Sequence, residues 1–182
     1  MLKKTAQKLI YRDPWLEFFQ DEVEFPSGKK GTYAWAKRKN GVGVVVVTEK
    51  NRIFLHREHR YVINDYSWEI QGGGIEDGES PVQAAVRELR EEAGFVVQES
   101  RLVRLGSFYP LHSFNTEHVT LFMVKVREDA RIATTVEDGE SIDVWKFVSF
   151  AEALSMIDKG EINDAFTANA IQMAVRKALG KS

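Results

Sequence analysis

Gly41 to Thr48 reads GVGVVVVT. A continuous β-branched run of this length, bounded by glycine and polar residues, marks a strand buried on both faces rather than a half-exposed one. The chain must therefore lay apolar cover on each side of a sheet. RIFLHREHRY, next in the chain, reads as the neighbouring strand, and LVRLGSFYP, HVTLFMVKV and DVWKFVSF as further strands. AEALSMIDKG and DAFTANAIQMAVRKAL space their apolar residues as helices do. Before the buried run, LEFFQDEVEF, the turn PSGKKG and TYAWAKRK predict a hairpin, because a Pro-Ser-Gly turn separates two aromatic and β-branched runs. These patterns predict an α/β sandwich, with residues 1–38 as an appended hairpin segment and 39–182 as the main domain.

A third helix is set by its ends. Ser80 is a good N-cap, Pro81 suits the first helical position and Gln83 completes a Ser-x-x-Gln capping box; Gly94 is a natural stop. The helix is predicted over Pro81 to Ala93, with Val82, Ala85, Val86, Leu89 and Ala93 as its buried stripe. The other face carries Glu88, Glu91 and Glu92, which at about 100° per residue project close together.

Charge clusters are usually solvated helix surface. Against that, like charges at these spacings cost an isolated helix a few tenths of a kcal/mol per pair. Arg87, one turn before Glu91, is the clear offsetting partner within the helix. Hard divalent cations take one or two carboxylates together with water and substrate phosphate, which Glu88, Glu91 and Glu92 are placed to supply. The acidic face is expected to be a metal platform.

Composition removes several other classes. The 182 residues contain no cysteine, so disulfides, thiolate metal sites and thiol nucleophiles are excluded, and a reducing cytoplasm is the expected setting. The opening residues carry no continuous apolar run, so no signal peptide and no membrane span are expected. A net charge of −2 with scattered Lys and Arg gives no electrostatic footprint for nucleic acid. A small-molecule partner is expected.

Gly73, Glu79, Arg87-Glu88-Leu89, Glu91-Glu92 and Gly94-Phe95 stand at the spacing of the Nudix box, and the chain resembles the Nudix hydrolase family. The resemblance implies an α/β/α sandwich with a mixed sheet. It also implies hydrolysis of a nucleoside diphosphate linked to a further moiety, using Mg²⁺, with Mn²⁺ as the alternative. On the family's pattern Glu88 and Glu92 are the principal metal ligands, Glu91 is an additional or shared one, and the Gly72 carbonyl gives a further oxygen. Arg87 would orient Glu91, and Glu79 would stabilise the loop-helix junction.

WEIQGGGIEDGE and REHRY are similar to the ADP-ribose and nucleotide-sugar pyrophosphatase branch, which implies substrate contacts from Glu69, in the entry to the box, and from Arg60, placed to meet a phosphate. Gln71 and Gly72 stand where that branch usually has proline and alanine. Pro110 matches the proline that marks ADP-ribose specificity in the branch. In the loop after it, His112 and Ser113 replace a Pro-Gly pair, His112 is set to meet a sugar hydroxyl, and Glu117 keeps the branch's glutamate. EDGESIDVWKF is similar to the acidic loop that reaches over the metals, which makes Glu140 the expected base, with Glu137, Asp138 and Glu117 as alternatives. The branch also implies a homodimer in which the N-terminal hairpin is shared between protomers, with Tyr33 and Trp35 stacking on the nucleotide base or, alternatively, packing the hairpin.

The expected activity is cleavage of a nucleoside diphosphate sugar, such as ADP-ribose or GDP-mannose, to a nucleoside monophosphate and a sugar phosphate. The alternatives are another nucleoside diphosphate derivative, a dinucleoside polyphosphate or a nucleoside triphosphate as substrate, and a non-catalytic nucleotide-sugar sensor. A sensor of this fold would be expected to lose its metal glutamates, and all are present here.

Overall fold

The computed structural model describes residues 1–130 and 142–180. It divides into two compact units. One comprises Met1–Asn40 with Tyr109–His118, the other Gly41–Phe108 with Val119–Ser182.

The larger unit holds β4 (Gly41–Thr48), β5 (Arg52–Arg60), β6 (Asp65–Glu69), β7 (Gln71–Gly74), α1 (Pro81–Ala93), β8 (Val103–Phe108), β9 (Val119–Val126), β10 (Ile142–Ser149), α2 (Phe150–Asp158) and α3 (Ala165–Ala178). All eight residues of β4 are buried, as the continuous apolar run requires. This strand pairs in parallel with β9 and antiparallel with β5 and β7, so the sheet is mixed. Pairing extends outward from β5 to β10 and β6, and from β9 to β8. The alternation of β4 then separates two apolar layers. Val42, Val44 and Val46 pack with Ala84, Ala85, Leu89 and Ala93 of α1. Val45 and Val47 pack with Ala153 and Met156 of α2 and Ala170, Ile171 and Ala174 of α3. Helices thus cover both faces, in the α/β/α sandwich expected from the sequence.

Helix α1 has the predicted limits. Ser80 Oγ accepts from the Gln83 N–H, Gln83 Oε1 accepts from the Ser80 N–H, and Gly94 closes the helix in the left-handed region at φ 68°. A cap of this kind contributes about 1 kcal/mol. The buried stripe differs from the expected one: Val82 and Val86 are only partly buried, and Ala84, Glu88 and Glu92 are buried instead. The row 84-88-92 lies beside the row 85-89-93, and β7 packs on this side of the helix, so the covered face is wider on the glutamate side.

The smaller unit is a three-stranded antiparallel sheet in the order β1 (Lys3–Arg12), β2 (Leu16–Glu24), β3 (Lys30–Arg38). The predicted hairpin is β2–β3; β1 is an additional strand. Asp13 turns the chain between β1 and β2, its Oδ1 accepting from the N–H groups of Trp15 at 2.7 Å and Leu16 at 2.8 Å. All ten residues of β1 are exposed, so no buried face imposes an apolar alternation on its sequence. Residues 109–118 join this unit through β3: the Ala36 N–H donates to Phe114 O at 2.8 Å and the Thr116 N–H to Ala36 O at 3.1 Å. No helix among the described residues is long and apolar enough to cross a membrane.

Candidate functional site

Strand β7 is QGGG, and its glycines are required by what lies against them. A Cβ at Gly73 would stand 2.3 Å from Glu88 Oε1, and one at Gly72 would stand 2.3 Å from Val42 O on β4. Position 72 therefore has no room for the alanine usual in the branch, and bare backbone at 73 is what admits the Glu88 carboxylate. Glu92 approaches the same strand, its Oε2 accepting the Gly72 N–H at 2.8 Å. In an antiparallel ladder a residue's N–H and C=O point to the same side. Because the Gly72 N–H turns to Glu92 and away from β4, its carbonyl oxygen faces that side as well. Glu88 and Glu92 are 6% and 4% exposed. The acidic face of α1 is not solvated surface: two of its carboxylates lie buried against a glycine strand.

Arg87 organises the charge around them. Its Nε and Nη2 donate to the two oxygens of Glu79, both at 3.1 Å. Nη2 also reaches Gly74 O at 2.8 Å, and Nη1 donates to Glu88 Oε1 at 2.8 Å and Glu91 Oε2 at 3.1 Å. One guanidinium thus ties the loop before α1, the end of β7 and two of the three helix glutamates; the expected contact with Glu91 is one of several. Burial opposes the Arg87 cation, but its hydrogen bonds to Glu79 and the charge of Glu88 outweigh it and raise the guanidinium above its ordinary value. In return, the Arg87 hydrogen bonds hold the Glu79 carboxyl below the usual carboxylate range. Trp145 of β10 donates its indole N–H to Glu92 O at 3.1 Å, fixing the last turn of α1.

A second polar cluster lies in the same unit. Arg60, at the end of β5, donates from Nε to Glu69 Oε1 at 2.9 Å and from Nη2 to Glu69 Oε2, while Glu58 Oε2 lies 3.0 Å from Nη2. The hydrogen bonds to Glu69, with the charges of Glu58 and Glu92, raise the Arg60 guanidinium above its ordinary value. His56 Nε2 lies 3.7 Å from Glu58 Oε2, and His56 Nδ1 faces Gln71 Nε2 at 3.2 Å. Among the described residues, His56, Glu58 and Glu69 are the group of His, Asp or Glu side chains whose ligand atoms lie within 4.8 Å of one another. A cation there would compete with Arg60 for both carboxylates. Glu88 and Glu92, the expected ligands, bring carboxylate oxygens to β7, a chemistry that suits a hard cation such as Mg²⁺ or Mn²⁺.

The sequence analysis singled out neither His56 nor Glu58. A signal was present: they share strand parity with buried Phe54, so two polar residues occupy inward positions of a buried strand.

Tyr33, Trp35, Pro110, His112 and Glu117 belong to the smaller unit. The Trp35 ring stacks on Phe19, centroids 4.7 Å apart, and its Nε1 donates to Asp21 Oδ2 at 2.9 Å. The Tyr33 hydroxyl donates to Ser113 O at 2.9 Å. Pro110 and His112 are exposed, and Glu117 stands 3.7 Å from Arg38. The same unit has an open apolar cavity of about 470 Å³, lined in part by Tyr11, Phe18, Leu111 and Phe114, with Arg38 as its charged wall. Glu137, Asp138 and Glu140, the expected base and its neighbours, lie outside the described residues.

Comparison with known proteins agrees with this architecture. The NUDIX domain model matches residues 37–169. The ADP-ribose pyrophosphatase of Bacillus subtilis is 29% identical over 178 residues, covering 97% of this chain and 95% of that protein. The ADP-sugar pyrophosphatase of Mus musculus is 34% identical over 153 residues, covering 77% of this chain and 70% of that protein. A crystal structure described as an ADP compounds hydrolase superposes with a TM-score of 0.80 at 20% identity, over 100% of this chain and 97% of the other. With its glutamate helix seated on a glycine strand and a domain match over most of its length, the chain belongs to the Nudix family.

Proposed function

We propose that this Nudix pyrophosphohydrolase cleaves the pyrophosphate bridge of an ADP-linked sugar, with ADP-ribose as the reference substrate, to AMP and a sugar phosphate in a divalent-metal-dependent reaction. The observation that carries the reading is the burial of Glu88 and Glu92 against the glycines of β7. Two carboxylates held out of water beside a glycine strand carry a desolvation cost that a hard cation bound between them would offset. Likeness to the Bacillus subtilis and Mus musculus pyrophosphatases supports the ADP-sugar class over GDP-mannose.

In this reading Glu88, Glu92 and the Gly72 carbonyl would hold Mg²⁺ or Mn²⁺, with Glu91 as a further ligand. When bound, the ion would supply neutralisation of the phosphate oxygens and a water acidic enough to react near neutral pH. Arg87 aims Glu88 and Glu91 through its hydrogen bonds, and Glu79 holds Arg87. Arg60, clamped by Glu58 and Glu69, presents its remaining donors to a substrate phosphate. Glu140 takes the proton of the attacking water as one phosphorus–oxygen bridge bond breaks, and the released phosphate oxygen is protonated from solvent.

Tyr33 and Trp35, with Pro110, His112 and Glu117, read the base and the terminal sugar. The exposed apolar side chains of β1, Leu9, Ile10 and Tyr11, support a homodimer built through the N-terminal sheet.

The test is product analysis in Mg²⁺ across ADP-ribose, other ADP-sugars, GDP-mannose, dinucleoside polyphosphates and nucleoside triphosphates. AMP and ribose 5-phosphate from ADP-ribose, at the highest kcat/KM of the set, are expected. Preferential turnover of triphosphates, or of GDP-mannose, would refute the assignment.

A further inference from the structure

We infer that Gln71 and His56 form a positioning pair that fixes β7 so that the Gly72 backbone meets Glu92; the functional meaning rests on the metal site proposed above. Three of the four residues of β7 are glycines, which offer no side chain to hold the strand and lose the most backbone freedom on ordering. Gln71 is its one side chain. It is fully buried, and its Nε2 lies 3.2 Å from His56 Nδ1 on β5. With Gln71 donating, His56 Nδ1 is the acceptor and the ring proton sits on Nε2, the nitrogen that faces Glu58. Gln71 therefore ties the glycine strand to β5, beside the Glu58 carboxylate that also meets Arg60.

Stability alone does not account for this pair. His56 is 1% exposed, and its Nε2 and Gln71 Oε1 are buried with no hydrogen-bond partner among the described residues. Two buried polar side chains with an unsatisfied atom each are less favourable than an apolar pair of the same volume. What the pair provides is register and roll. A one-residue slip of β7 on β4 would turn every residue to the opposite face, and among the side chains of β7 only Gln71 resists it. The branch usually carries proline at this place, a residue that stiffens the chain from within; here a hydrogen bond from outside does the same task.

The pair is tested with Gln71→Met, His56→Leu and the double variant. Amide hydrogen exchange at Gly72–Gly74 in metal-free protein is read alongside Mn²⁺ affinity by electron paramagnetic resonance and melting temperature. Each single variant should speed exchange at these glycines and weaken Mn²⁺ binding about 10- to 100-fold, the usual effect of losing an outer partner of a metal ligand. The double variant should regain melting temperature, since no polar group is left stranded, but not Mn²⁺ affinity or amide protection. If it regains all three, the pair is only core packing and the inference is wrong. If wild type binds no Mn²⁺, the proposed metal site falls, and glycine exchange alone judges the anchor: unchanged protection in the single variants overturns it.

Discussion

The Gly72 N–H meets Glu92 Oε2 at 2.8 Å, across twenty residues of sequence, and joins the glycine strand to the last turn of the helix that carries the acidic cluster. The bond turns a surface-like helical pattern into a buried site, and it depends on both partners: a strand with no side chains in the way and a carboxylate at the right helical step. Replacing a glycine of β7 should disturb it.

Gly73→Ala is the sharpest case. The added Cβ would stand 2.3 Å from Glu88 Oε1, so the Glu88 carboxylate or the strand has to move. A loss of about 1–3 kcal/mol of stability, as for other overpacked buried sites, is expected together with weaker activation by Mg²⁺. Urea unfolding and the metal dependence of turnover measure the two effects; an unchanged metal requirement would show that Glu88 is not held by this contact.

Glu79 gives a pH signature. Its folded-state value lies below the ordinary 4.5 because Arg87 hydrogen-bonds the ionised form. A depressed value means that the contribution is complete above the ordinary value and is lost as pH falls through the lower folded value. The stability difference between wild type and Glu79→Gln should thus be constant from pH 7 to about 5.5, shrink below the ordinary value and vanish in stronger acid. Urea midpoints across that range test it; a difference that grows in acid would have the wrong sign.

The N-terminal sheet should mediate assembly. Light scattering is expected to give a dimer, and Leu9→Lys with Ile10→Lys on the exposed strand β1 should yield a folded monomer with a raised KM for ADP-ribose. A fully active wild-type monomer would contradict an assembly built through the N-terminal sheet.

Glu140→Gln should lower kcat and kcat/KM together by about 10²- to 10⁴-fold, the usual contribution of a general base. Comparison with Glu137→Gln, Asp138→Asn and Glu117→Gln assigns the role. Normal turnover in Glu140→Gln with an inactive Glu117→Gln would move the base to the loop after Pro110.

Much of this site was legible before the structure, and for local reasons. Helix α1 is specified by Ser80, Gln83 and Gly94, whose capping chemistry acts within a few residues, and the eight-residue core strand declares its burial through its own composition. What depended on distant chain was not legible. The sequence marks Glu88 and Glu92 as candidate metal ligands, but not their burial against β7, and Gln71 looks like a departure from a family pattern until His56 is found 3.2 Å away. Strand β1 was hidden because its order comes from pairing with β2 rather than from an apolar face.

The most direct measurement compares wild type with Glu92→Gln for ADP-ribose hydrolysis in Mg²⁺, with circular dichroism and Mn²⁺ binding recorded on the same samples. The carboxamide keeps the shape of the side chain but removes the charge that a hard cation needs. The account predicts an unchanged fold, weakened Mn²⁺ binding, and turnover reduced by more than the roughly 10- to 100-fold cost of losing an outer partner of a metal ligand. Wild-type rates from Glu92→Gln, or wild-type hydrolysis that persists after exhaustive chelation, would contradict it.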